Sequence, residues 1–192
     1  APHLDKGIMI GVLLSIGLYL YESMQPRVTF LSRHADGTFR DAERWGLKLC
    51  EHIVVVRFYG KLFFANTSVL EKRILEAIEK MPNLKHVLIV GNGISDIDAA
   101  GEEIISQLVD ELRTRGFGLS FTALRDPVVD VLSRTGVLKK IGKENIYGNV
   151  HMALDNIIYR IHEDSDEEPC PLLTPTLKDG TILKHETHLR PM

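Results

Sequence analysis

Only two cysteines, Cys50 and Cys170, occur in 192 residues, too few for a disulfide framework. The chain is long enough to bury a core without such staples. It also lacks a basic excess. Against 23 lysines and arginines stand 26 acidic side chains, leaving a formal net charge of -3, the wrong sign for a nucleic-acid binder. With 44% hydrophobic and 26% charged residues, composition excludes the collagen-like, disulfide-rich, polytopic membrane and wholly disordered classes. There is no internal repeat, no G-x-G-x-x-G, no Walker lysine pattern and no Ser, His and Asp constellation in recognisable context. The residues therefore assign no catalytic group, no cofactor and no metal, and the chain is read as a non-enzyme.

The averages hide two unusual ends. Gly7 to Tyr21, GIMIGVLLSIGLYLY, has no charged residue, while Glu163 to Glu168, EDSDEE, has one uncharged position. Fifteen helical residues rise roughly 22 Å, short of the roughly 30 Å of a bilayer core. A signal peptide is disfavoured by the APHLDK start and the lack of an A-x-A-like site. A buried core helix is disfavoured because residues 8–20 leave no polar face. The reading preferred for residues 1–25 is the end of a membrane segment, with Tyr19 and Tyr21 at the interface. Arg27, Arg33, Arg40, Arg44 and Lys48 follow, as the positive-inside rule expects of a cytoplasmic exit.

Residues 26–162 read as one α/β domain. Pro26 ends the first helix. Val28–Leu31 reads as a strand and Ala35-Asp36-Gly37 as a turn. Ile53–Phe58 is a β-branched strand, and Leu62-Phe63-Phe64 reads as its antiparallel partner across Gly60-Lys61. Leu70, Ile74, Ala77, Ile78 and Met81 share a helical face, with Ser68 and Glu71 as a capping box. Val87–Val90 suits a strand buried on both faces. A helix through Leu108 and Leu112 ends near Gly116, a strand covers Leu119–Leu124, and Asp126-Pro127 opens a third helix stopped by Gly136. Asn149 caps a fourth. Alternation of strand and helix implies crossovers onto a largely parallel sheet. Residues 163–192, acidic and proline-bearing, read as a mostly unstructured tail.

Ligands of open α/β sheets sit at the carboxyl ends of strands. Val90 leads there into Asn92, Gly93, Ser95, Asp96, Asp98, Ala100, Gly101 and Glu102. Backbone amides at a helix start attract anions, but Asp96, Asp98, Glu102 and Glu103 would repel a phosphate. Two readings stand: a regulatory contact loop, or a helix cap by Asp98 with glutamates complementing the dipole. Elsewhere, His185-x-x-His188 reads as a chance pairing, Cys50 as a small apolar residue, and Phe63-Phe64 as sheet core rather than a docking surface.

The apolar helix, VTFLSRHADGTFRD, the stretch IVVVRFYGKLFFAN (Ile53 to Asn66) and HVLIVGNGISDIDAAGEE (His86 to Glu103) resemble the carboxyl end of a SulP-type anion transporter. That end is the last membrane helix followed by a STAS domain, a module shared with anti-sigma-factor antagonists. The most specific pieces are R-F-x-G-x-L-F-F-A-N, Arg57 to Asn66, and D-x-x-G, Asp98 to Gly101. The resemblance implies a mixed, largely parallel sheet flanked by about four helices. It also implies a regulatory role through protein contacts at the cytoplasmic face of the cell membrane. The implied partners are the transmembrane domain of the same transporter, a cytosolic regulatory protein and a second copy in a homodimer. Antagonist members carry a phosphorylatable serine just before the glycine of D-x-x-G; here Ala100 has no hydroxyl, which favours the transporter branch. The alternative is a soluble, antagonist-like partner-switch protein, nucleotide-binding in one version. The transported anion is not read from these residues.

Overall fold

The computed structural model describes residues 4–162 and 169–184. Helix α1 (Leu4–Ser23) has 20 residues, since Leu4, Asp5, Lys6, Glu22 and Ser23 extend the charge-free run. Its length is about 30 Å at 1.5 Å per residue, which corrects the expectation of a helix too short to span a bilayer. Its described apolar side chains are uncovered: Leu13 is 65% exposed and Tyr19 70%. Pro26 follows the helix end, as expected.

Strand β1 (Arg27–Arg33) pairs antiparallel with β2 (Phe39–Asp41) across the expected turn, where Gly37 takes φ +80°. Partial burial pushes the Asp36 carboxyl up, but hydrogen bonds from the Thr38 hydroxyl and amide, Arg40 and His34 outweigh it and hold the group well below the usual carboxylate range. After helix α2 (Ala42–Trp45), strand β3 (Ile53–Leu62) runs ten residues without a break. The expected hairpin at Gly60-Lys61 is not formed. Gly60 adopts φ +123°, a conformation that lets the strand bend and continue. The antiparallel partner of β3 is β1, with Thr29 opposite Arg57.

From there the chain alternates: α3 (Thr67–Lys80), β4 (His86–Val90), β5 (Ile94–Ile97), α4 (Ala99–Thr114), β6 (Gly118–Thr122), α5 (Asp126–Arg134), α6 (Val137–Ile141), β7 (Ile146–Tyr147) and α7 (Val150–His162). The sheet order is β2-β1-β3-β4-β6-β7, parallel from β3 onward, with β5 pairing the far end of β3. The mixed, largely parallel STAS-like sheet is the fold expected, and α3, α4, α5 and α7 are its four principal flanking helices. Capping differs in two places. Helix α3 begins at Thr67 behind Asn66, so Ser68 is not its cap. Asp126 is already helical behind Arg125, and Pro127 sits in the first turn. Asn149 does cap α7, its side-chain oxygen accepting from the Met152 amide at 2.9 Å.

Strand alternation distributes the core over two faces. Val54, Val56, Phe58, Val87, Ile89 and Phe121 meet α3 to α6 on one side. On the other, Leu31, Ile53, Val55, Leu88 and Val90 meet α7, together with Cys170 and Leu172. The stretch from Pro169 to Lys184 is thus packed onto the domain rather than unstructured. Lys48 donates its amide to the Thr176 carbonyl at 2.8 Å and Lys178 donates its amide to that of Gly46 at 2.9 Å. The run Glu163–Glu168 and the pair His185 and His188 lie outside the described residues.

Candidate contact surface at the ends of β3 and α4

The two quoted motifs meet in space. Asn66, 2% exposed, braces the turn after β3: its side-chain oxygen accepts from the Phe63 amide at 3.0 Å, and its amide donates to the carbonyls of Lys61 at 2.9 Å and Ser23 at 3.3 Å. One buried asparagine therefore ties the end of α1 to the turn that leaves the sheet. The Asp98 carboxylate bridges the motifs. One oxygen accepts from the Gly101 amide at 2.8 Å and caps α4, while the other accepts from the Phe64 amide at 3.2 Å. Gly101 has a steric reason as well. A Cβ there would lie 2.5 Å from the Leu62 carbonyl oxygen and 2.8 Å from Ile97 Cγ1. The D-x-x-G turn is thus a device that lets α4 start directly against β3.

The eight sequence-singled residues occupy this junction, although not as a plain loop. Asn92 and Gly93 lie in a single 3-10 turn, and Ser95 and Asp96 belong to β5, the short strand missed in the sequence. Gly93 is constrained, since a Cβ would stand 2.0 Å from the Phe58 carbonyl oxygen. Ser95, Asp96, Ala100 and Glu102 are half-buried and Gly101 is buried. Lys61 sits 3.2 Å from Asp96, and its hydrogen bond is the main cause holding that carboxyl below the usual range. The helix start is therefore satisfied from within by Asp98, as the capping reading expects, while Lys61, Asp96 and Phe64 face outward.

Phe64 is 77% exposed, its ring meeting only Phe63 edge-on at 5.6 Å among aromatic contacts. The expectation that the pair belongs to the sheet core is corrected. Phe64 falls after the strand, beyond the reach of the alternating pattern. Beside it, a cleft of 590 Å³ opens between the end of α1 and the domain, lined by Tyr19, Pro26, Tyr59, Phe63, Asn66 and Ser95 among others. Cys50 is buried, as expected of a small apolar residue, but it is not isolated: His162 and Cys170 converge on it. The signal available in the sequence was a histidine and a cysteine eight residues apart, with nothing local to link them to residue 50.

Within the β-sheet, His86 is buried and its ring nitrogen lies 3.0 Å from the Ser120 hydroxyl. Burial, with a smaller contribution from the charge of Arg160, lowers its pKa to about 4, so the ring is neutral at neutral pH.

Residues 46–153, more than half of the chain, match the family model described as STAS domain. Among curated proteins, the chain is similar to "Probable sulfate transporter 4.2" of Arabidopsis thaliana. The two are 28% identical over 177 residues, covering 86% of this chain and 26% of that protein. "Sulfate transporter 4.1, chloroplastic" of the same plant is 24% identical over 177 residues, with the same coverage. The chain thus spans about a quarter of the length of these relatives. Among solved structures, murine Solute Carrier 26 family member A9, an anion transporter in the inward-facing state, superposes with a TM-score of 0.67. It is 17% identical, covering 79% of this chain and 25% of that one. An anti-sigma factor antagonist from Thermotoga maritima reaches a TM-score of 0.50 at 19% identity, covering 58% of this chain and 92% of that one. The first likeness extends over more of this chain than the second. With its sheet order, its interlocked motifs and the matched residues 46–153 in agreement, the chain belongs to the STAS domain family, and its curated relatives are named as sulfate transporters.

Proposed function

We propose that this chain is the cytoplasmic regulatory domain of a SulP-type secondary anion transporter, carried together with the end of its last membrane helix. The observation that supports this most is α1: a helix about 30 Å long, with an uncovered charge-free run from Gly7 to Tyr21, leads through Pro26 straight into the domain, tethered by Asn66. A soluble partner-switch protein has no use for such a helix. The relatives' names favour sulfate or a sulfate-like anion as the transported species. Four arginines, Arg27, Arg40, Arg44 and Arg57, line a 490 Å³ cleft just beyond the helix, consistent with a surface held at an anionic cytoplasmic leaflet.

In this reading the domain acts through contacts and carries no catalytic or nucleotide-binding role. The surface of Phe64, Lys61 and Asp96 beside the α1 cleft faces the transmembrane domain, a cytosolic regulator or the second copy of a homodimer. Expressing the chain with and without residues 1–24 tests the membrane assignment. The full chain is expected to require detergent and the shortened one not to; equal solubility without detergent overturns the reading. Isothermal titration with ATP and GTP is expected to show no submillimolar binding. Transport by a full-length carrier should fall on Phe64→Ala without loss of thermal stability.

A further inference from the structure

Three side chains that no motif connects converge behind the second face of the sheet. Cys50 lies just before β3, His162 is the last residue of α7, and Cys170 belongs to the C-terminal segment. His162 Nε2 is 3.4 Å from Cys50 Sγ and 3.7 Å from Cys170 Sγ, and the three donor atoms lie within 4.8 Å of one another. Both cysteines are buried and neither is in a disulfide.

We propose that Cys50, His162 and Cys170 form a binding site for a thiophilic divalent cation, zinc being the best match. The first argument is distance. A tetrahedral zinc ion about 2.3 Å from sulfur and about 2.0–2.1 Å from nitrogen places those two ligand atoms about 3.6 Å apart, and the two observed separations bracket that value. The second is chemistry. Two thiolates and an imidazole select zinc over magnesium or calcium, which take oxygen ligands. The third is the setting of Cys50, whose sulfur accepts backbone hydrogen bonds from the amides of His52 at 3.4 Å and Ile53 at 3.3 Å. Such bonds hold the sulfur in place, as outer-shell contacts do for a metal-ligating atom.

On binding, each thiol releases its proton to solvent as its sulfur bonds the ion, whose oxidation state is unchanged. The ion joins three elements far apart in sequence: the loop before β3, the end of α7 and the C-terminal segment. Its occupancy therefore fixes the Cys170 and Leu172 anchor onto the sheet face, making the docking of this segment metal-dependent.

The test uses the 192-residue chain in detergent, stripped of metal and kept reduced, with cobalt(II) as the spectroscopic probe. Expected are one cobalt per chain, a thiolate-to-metal charge-transfer band with tetrahedral visible bands, and displacement by zinc. Cys50→Ser and Cys170→Ser should each weaken binding by more than the roughly 10–100-fold that follows loss of an outer-shell partner, while His151→Gln leaves it unchanged. Should a cysteine variant fail to fold, the wild-type chain still decides, because zinc must protect both thiols from alkylation. The proposal is overturned by cobalt spectra without a thiolate band, by equal affinity in a folded Cys50→Ser chain, or by thiols that zinc leaves equally reactive. It is also overturned if the cysteines form a disulfide in air and the re-reduced protein takes up no cobalt.

Discussion

The two ends of the chain reverse what their compositions suggest. Helix α1 is apolar and charge-free from Gly7 to Tyr21, yet those side chains are uncovered. The segment from Pro169 to Lys184 carries three prolines and follows an acidic run, a composition that reads as unstructured, yet it buries Cys170 and Leu172 in the core beneath α7. Burial is thus set by the partner an element finds. Among the described residues the apolar face of the first end meets no partner, and the proposed membrane segment would supply one. The second is matched by a sheet face that α7 alone does not cover.

The sharpest way to break this contrast is one truncation at each end. Leu172→Ala removes a side chain that is 1% exposed and should cost about 2–5 kcal/mol of domain stability, read by chemical denaturation. Leu13→Ala, at a position 65% exposed, should leave that stability unchanged. If both variants unfold alike, α1 packs on the domain and the contrast fails. A charge at the first end gives the reciprocal effect: Leu14→Lys should disfavour membrane insertion by about 3 kcal/mol, measured by partitioning into vesicles, while the thermal midpoint of the domain stays put.

Acid should likewise act on the packed part alone. His86 has its pKa lowered to about 4 in the folded state, against 6.5 when unfolded. The unfolded chain therefore binds the extra proton first as pH falls, so the stability held above pH 6.5 declines between pH 6.5 and about 4 and levels off below. The difference amounts to about 3 kcal/mol. Denaturation midpoints of His86→Gln should be flatter across that window; an unchanged slope removes His86 from the account. The smallest expected effect is at the motif junction. Asp98→Ala deletes the cap on Gly101 and the bond to Phe64 and should cost about 1 kcal/mol in thermal denaturation, whereas Phe64→Ala should cost nothing measurable.

Much of the fold was legible because its determinants are local. Four consecutive apolar residues, Val87–Val90, mark β4, and a period of 3.6 marks α3, α4 and α7. The junction was half legible. D-x-x-G was seen as a cap, but that its glycine clears the Leu62 carbonyl depends on where β3 ends, and Gly60, which reads as a stop, is instead a bend within that strand. The capping box at Ser68 failed because Asn66, two residues earlier, already occupies the cap position while its side chain holds the preceding turn.

By itself the sequence determined the α/β class, the family motifs and the charge-free apolar run Gly7 to Tyr21, since each depends on neighbours along the chain. Only the tertiary structure decided that β3 pairs with β1 instead of folding back on itself, and that Phe64 faces outward. It alone decided that the C-terminal segment closes the sheet face, bringing Cys50, His162 and Cys170 together. Those outcomes depend on contacts between residues dozens of positions apart, whose register and convergence exist only once the sheet is assembled.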